Sequence, residues 1–310
     1  MAHEQRIIVT EPLSREATDW LSDRASVQQI AVEDSGFNDA LERASGLIVR
    51  TYTTVDRDML DRAPNLRVVG RAGTGLDNID VDACRERGIE VVHTPNANRQ
   101  AVVEYVTSIL ATVLRPLPPP IDRGHTPADW AAARRSATAQ RQMSECRLGI
   151  LGLGAIGKRV AEVATAVGLG VQYHDIEEIP SAHRCGGVPV ALDVLLHSSD
   201  VLTIHVDGRA DNRHFLSTDQ FNQLLPNVML INTSRGFVID SRALTAMLRT
   251  HPDSMAVLDV HEHEPIAADD PLLSVPNATL LPHAASRTAA AQLAMSWVVQ
   301  DVWMAVERSP

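Results

Sequence analysis

The stretch Leu148-Gly149-Ile150-Leu151-Gly152-Leu153-Gly154-Ala155-Ile156-Gly157 joins an apolar run to three glycines in G-x-G-x-x-G spacing. Val160, Val163, Ala164 and Val167 then recur at helical period and are the expected buried face of the helix that follows. Strand, glycine turn and helix in this order give the motif its meaning. The first glycine permits a tight turn, the second lets the backbone approach a pyrophosphate, and the third lets the helix pack closely, while free N–H groups at the helix start face the anion. Asp175 closes the next strand 18 residues past Gly157, where an acidic side chain accepts hydrogen bonds from the adenosine ribose hydroxyls. The turn and the acid together predict a sheet that binds a dinucleotide.

The same alternation extends outward in both directions. β-branched runs at Val171 to Tyr173, Val201 to Val206, Val228 to Asn232, Met255 to Val260 and Thr279 to Leu281 alternate with amphipathic stretches. Upstream, Ile7-Ile8-Val9, Val27 to Val32, Leu47-Ile48-Val49, Val68-Val69 and Val91-Val92 do likewise. Strands separated by helices imply parallel βαβ units, here in two sheets of α/β class. Between the two series, Val102, Val106, Ile109 and Val113 mark a helix over Ala101 to Leu114, stopped by Pro116, Pro118, Pro119 and Pro120. That helix and its proline-rich loop are read as the linker. From Ser286 one terminal helix is expected, with Val298, Val302 and Val306 along a face.

Composition narrows the functional classes. At 310 residues the default is two domains, and 45% hydrophobic residues support sizeable cores that must be aliphatic, since aromatics are only 4%. A net charge of -11 repels phosphate backbones and anionic lipid, which argues against direct nucleic-acid or membrane binding. Cys84, Cys146 and Cys185 are scattered and odd in number, so they read as reduced thiols. Met1 to Arg6 shows no basic segment leading into an apolar core, and no apolar run approaches the roughly 20 residues of a membrane span, so a soluble cytoplasmic protein is expected.

Three further strand ends carry complementary chemistry. Ile231-Asn232-Thr233-Ser234-Arg235-Gly236, Leu258-Asp259-Val260-His261-Glu262-His263-Glu264-Pro265 and Leu281-Pro282-His283-Ala284 each close a strand. Ligands bind beyond the carboxyl ends of strands in such sheets. A guanidinium holds a carboxylate bidentately, an imidazole moves a proton, and a carboxylate stabilises the imidazolium. Arg235, Glu264 and His283 are therefore the candidate catalytic set. His261 and His263 are spaced i, i+2 on an irregular segment, a poor geometry for ligands, and no metal is expected.

These motifs, with Val69-Gly70-Arg71-Ala72-Gly73-Thr74-Gly75-Leu76-Asp77-Asn78 and Thr94-Pro95-Asn96 to Glu104, resemble those of the D-2-hydroxyacid dehydrogenase family over nearly the whole chain. The resemblance implies a discontinuous flavodoxin-like substrate domain, residues 1-95 and 284-310, and a Rossmann-type doubly wound NAD-binding domain, residues 96-283. It implies catalytic roles for Arg235, Glu264 and His283, and NAD contacts from Gly152, Gly154, Ala155, Ile156, Gly157, Asp175, Thr233 and a nicotinamide-side Asp259. Gly73, Thr74 and Gly75 would bind the substrate carboxylate. It also implies a homodimer through the helix after Thr94 and the linker that follows; the helix residues Val102, Val103, Val106, Ile109, Leu110, Val113 and Leu114 cover more than one face.

Two branches of the family share the local similarities. Gly46 to Arg50 and Val69 to Asn98 resemble phosphoglycerate dehydrogenase, where arginines matching Arg50 and Arg71 meet a phosphate. Asp259 to Glu262 and His283 to Ala285 resemble the C-terminal-binding-protein branch of NAD-dependent corepressors. The sequence departs from both: Asp207 stands where much of the family has proline, and Ser286 where the corepressors have tryptophan. An NAD-dependent oxidoreductase acting on a small 2-hydroxy or 2-keto acid, with a second anionic group met by Arg50 and Arg71, is one reading; a local pairing of either arginine, for example with Asp77, is its alternative. An NAD(H)-sensing interaction protein is the other functional class.

Overall fold

The structure, a computed structural model, describes residues 5–118, 120–121 and 123–308. Expectations that concern Met1 to Glu4 and Pro119 lie outside these residues. The chain divides into two compact units, Met1–Ala101 with Ser286–Pro310, and Val102–Ala285.

The first unit holds β1 (Arg6–Val9), β2 (Ser26–Gln29), β3 (Gly46–Val49), β4 (Val68–Arg71) and β5 (Glu90–His93), in the order β2-β1-β3-β4-β5. All pairs are parallel, and this is the flavodoxin-like order. Because alternate side chains leave a strand on opposite faces, β1, β3 and β4 feed two cores. Ile8, Leu47, Val49 and Val69 pack with Phe37, Leu41, Met59 and Leu60. Ile7, Val9, Ile48 and Val68 pack with Leu21 and with Val298, Val302 and Val306 from the chain's end, which is why this unit needs a discontinuous segment. That end is two helices, Ala289–Ser296 and Val298–Arg308, rather than the single helix expected. Trp297, with ψ 0°, breaks them and sets its ring edge-on to Trp20, with centroids 6.2 Å apart.

The second unit holds β6 (Arg147–Leu151), β7 (Gly170–His174), β8 (Val188–Pro189), β9 (Val201–Ile204), β10 (Met229–Asn232), β11 (Met255–Leu258) and β12 (Ala278–Leu280). They form one parallel sheet, β12-β11-β10-β9-β6-β7-β8. Counted from β6 this is the doubly wound 3-2-1-4-5-6 order with one strand added. The strand order reverses between β6 and β9, so the crevice for a ligand lies at the carboxyl ends of those two strands.

Three local expectations are corrected in this unit. The helix Ala155–Ala166 buries Gly157, Val160, Ala161 and Ala164, whereas Val167 falls past its last turn and is 52% exposed. The run expected to extend to Val206 leaves the sheet after Ile204, so His205 follows the strand end. The proline-rich loop and the helix Pro127–Ser136 lie inside the second unit, and the chain passes between units at Ala101–Val102 and Ala285–Ser286. The long helix Arg99–Leu114 spends Val102, Val103, Val106 and Leu110 on this unit's own core, beside Leu148, Ile150 and Ile231. Its two-faced apolar coverage is thus largely consumed within the unit.

Candidate active site

The glycine turn after β6 has the geometry its sequence requires. Gly152 adopts φ 93°, and a Cβ there would stand 2.9 Å from the His205 carbonyl carbon. A Cβ on Gly157 would meet the Gly152 carbonyl oxygen at 2.2 Å, so the helix packs against the turn only without a side chain. At Gly154, by contrast, a Cβ would meet nothing within 4 Å, and Gly154 and Ala155 are exposed. That open rim at the start of a 12-residue helix leaves room for a diphosphate to approach backbone N–H groups. Asp175 follows β7 and accepts from Leu153 N at 2.6 Å and Glu177 N at 2.9 Å, which fixes its carboxylate beside the turn. At the end of β10, the Thr233 hydroxyl is buried and has no hydrogen-bond partner among the described residues. A donor and acceptor in that state suits a polar ligand group, so the residues present fit a dinucleotide.

The catalytic candidates come from three neighbouring strands of the same sheet. After β10, Asn232 is fully buried; its side chain accepts from Ser234 N and Oγ and donates to Arg235 O, turning the chain so that Arg235 follows the strand end. Arg235 donates to Ser234 O at 2.7 Å. After β11 the segment His261 to Pro265 is irregular, and the Gly236 backbone presses so closely on it that a Cβ would lie 1.9 Å from the His261 carbonyl carbon. After β12, His283 takes φ 51° and brings Nδ1 to 2.7 Å from Glu264 Oε2. Burial pushes the Glu264 carboxyl up, but the His283 hydrogen bond and charge, helped by the His261 backbone N–H, outweigh it and hold the group below its ordinary value. The carboxylate therefore stays ionised beside the imidazole at neutral pH.

In the first unit, Arg50 follows β3 and Arg71 ends β4. Glu11 accepts from the backbone N–H groups of Arg50, Thr51, Tyr52 and Thr53, so its carboxylate is spent on shaping the loop. The Arg50 guanidinium donates instead to neutral partners, Pro12 O at 2.9 Å and Gln292 Oε1 at 2.6 Å. Burial holds it below its ordinary pKa, opposed by Glu11 and reinforced by the nearby charge of Arg287. Arg71 is buried, and its guanidinium occupies the space a side chain on Gly73 would need. Thr74 donates to Asn98 Oδ1 at 2.9 Å, and its carbonyl meets His93 Nδ1, which sets the Gly73 to Gly75 loop.

Residues 110–285 match the family described as D-isomer specific 2-hydroxyacid dehydrogenase, NAD binding domain. The chain is 31% identical over 301 residues to D-3-phosphoglycerate dehydrogenase of Archaeoglobus fulgidus, covering 96% of this chain and 56% of that protein. The chain belongs to the D-isomer specific 2-hydroxyacid dehydrogenase family. It is also 36% identical over 260 residues to (S)-sulfolactate dehydrogenase of Chromohalobacter salexigens, covering 82% of each. The crystal structure of the TT0316 protein from Thermus thermophilus superposes with a TM-score of 0.82 at 29% identity, covering 98% of this chain and 97% of that one. The chain thus spans about half the length of the first of these relatives.

In this member of the family, Arg235, Glu264 and His283 come from adjacent strand ends of the second unit's sheet. For Asp259 the structure shows an anchoring part. It is fully buried, accepts from Ala284 N and Ala285 N at 2.8 Å each, and shares a hydrogen bond with Tyr105. Its own carbonyl accepts from His283 N at 2.8 Å, so it holds the turn on which the imidazole stands. Two residues escaped the sequence reading. His205 sits at the switch point, Nε2 3.0 Å from Thr203 Oγ1, inside a β-branched run that carries no sequence signal for the strand end at Ile204. Glu11 carries no motif, and only tertiary structure brings it to the Arg50 loop. Among the described residues no cluster of three or more metal-ligating side chains occurs, and no helix is long and apolar enough to cross a membrane.

Proposed function

We propose that the chain is an NAD-dependent D-2-hydroxyacid dehydrogenase that interconverts a small 2-hydroxy acid and its 2-keto acid. The His283–Glu264 pair, set 2.7 Å apart on the sheet that carries the dinucleotide turn, is the observation that carries this reading. Gly152, Gly154, Ala155, Ile156 and Gly157 hold the diphosphate, Asp175 the adenosine ribose, and Thr233 a further polar group of NAD. The bound cofactor supplies or accepts the hydride at substrate C2. In the reducing direction His283 gives a proton from Nε2 to the C2 oxygen, while Glu264 on Nδ1 fixes the tautomer and stabilises the imidazolium. In the oxidising direction the imidazole takes that proton back. Arg235 pairs with the substrate carboxylate through two parallel N–H groups.

The substrate we infer carries a second anion, received by Arg50 and Arg71. Arg50 supports this, because its partners are neutral acceptors and a second guanidinium stands close by, a grouping that an anion relieves. The names of two relatives, D-3-phosphoglycerate and (S)-sulfolactate dehydrogenase, each specify a substrate with a second acidic group. The reading includes preference for NAD over NADP, since a 2'-phosphate would face Asp175 with Glu177 and Glu178 following in sequence. Three free thiols suit a cytoplasmic setting. The test is turnover with 3-phosphohydroxypyruvate, sulfopyruvate, pyruvate and glyoxylate, each with NADH and NADPH. Dianions should be reduced fastest, with NADH preferred and the advantage shrinking in high salt. Faster turnover of pyruvate or glyoxylate would refute the second-anion site.

A further inference from the structure

A second His–Glu pair stands beside the first on the same irregular segment. His214 Nε2 lies 2.7 Å from Glu262 Oε1, which Arg213 also meets at 3.2 Å, and the Glu262 side chain is only 16% exposed. We propose that His214 and Glu262 are positioning residues that hold the Glu264 segment in register with the Arg235 loop. The inference rests on the roles proposed for Arg235, Glu264 and His283.

The connections run through both catalytic segments. His214 N donates to Phe237 O at 2.8 Å, Leu216 N to Val238 O at 3.0 Å, and Asp240 N to Leu216 O at 3.0 Å, so the loop around His214 is stitched to the chain just after Arg235. The imidazole then reaches Glu262, two residues before Glu264. On its other side the segment is tied by His261 Nε2 to Leu281 O at 2.7 Å, two residues before His283. His214 and Arg213 thus meet Glu262 from the loop stitched to the chain after Arg235, while His261 and Glu264 are tied toward the chain after β12 by Leu281 and His283. The Gly236 backbone presses on the same His261 and Glu262 backbone, so the segment is held from both sides.

The backbone at His214 points the same way. Its φ is 51°, a left-handed conformation that glycine adopts freely and a histidine adopts only against a steric penalty. Such a residue persists where its surroundings hold it, and here the side chain's bond to Glu262 does so.

The test compares wild type with His214→Gly, His214→Asn and Glu262→Ala. Glycine relieves the backbone and removes the imidazole, whereas asparagine tolerates the left-handed conformation and still offers an N–H. We expect His214→Gly and Glu262→Ala to lower kcat by about 10- to 100-fold, the upper end being the effect of a misplacement of about 1 Å. NADH affinity should stay within about twofold and the melting temperature of His214→Gly should not fall, with part of kcat returning in His214→Asn. The downfield proton resonance of the imidazole N–H of His283 toward Glu264 should sharpen in wild type and broaden in His214→Gly. Wild-type kcat together with an unchanged resonance in both His214→Gly and Glu262→Ala would overturn the proposal. Absence of wild-type turnover would fail the catalytic reading alone, because the resonance still tests the positioning.

Discussion

His205 shows how one side chain at the switch point ties burial to stability. Burial pushes its imidazole from 6.5 down to about 4. The unfolded chain therefore takes up a proton more readily than the folded one across that window. The contribution of His205 to stability is complete above pH 6.5 and is lost as pH falls toward 4, by at most about 3 kcal/mol. Urea unfolding of wild type and His205→Asn between pH 7 and 4 checks this: the variant should lose stability less steeply on acidification. Equal slopes would contradict it. The same residue marks a limit of the sequence, where the β-branched run from Val201 reaches Val206 with no glycine or proline to mark the strand end at Ile204.

At the scale of elements, the glycine turn separates two kinds of necessity. Gly157 is excluded from change by packing, since its Cβ would overlap the Gly152 carbonyl, whereas Gly154 faces open space. Gly157→Ala should cost about 1 to 3 kcal/mol in thermal or urea unfolding, the scale of overpacking. Gly154→Ala should leave stability within about 0.5 kcal/mol, as for a surface position, yet weaken NADH binding in a fluorescence titration. Equal effects of the two substitutions on both quantities would refute this division of roles. The turn, Asp175 and the strand ends were legible because period-2 and period-3.6 patterns and glycine spacing are local. The break at Trp297, the caging of the Arg50 loop by Glu11 and the His214–Glu262 pair were not, because each depends on contacts between residues far apart in sequence.

At the scale of the whole molecule, a homodimer is expected through the long helix and the linker after it, and the helix gives Val102, Val103, Val106 and Leu110 to the second unit's own core. The linker carries the exposed apolar side chains. Leu117 is 91% exposed and Trp130 51%, on a stretch with no buried residue in the helix Pro127–Ser136. A partner covering these side chains would make a dimer, with a mass of twice 33.7 kDa by light scattering at micromolar concentration, and Trp130→Asp should weaken it. A monomer in wild type would contradict this.

The proposed transfer of a proton by His283, coupled to hydride transfer at the strand ends of the NAD-binding sheet, is checked by measuring substrate-dependent NADH oxidation and NADH binding side by side in wild type and His283→Ala. Wild type should oxidise NADH with a 2-keto acid, and the variant should bind NADH nearly unchanged while losing about 100 to 10,000-fold in rate. A wild type that binds NADH without substrate-dependent oxidation would point to a sensor, and a His283→Ala variant with undiminished kcat would remove the imidazole from the chemistry.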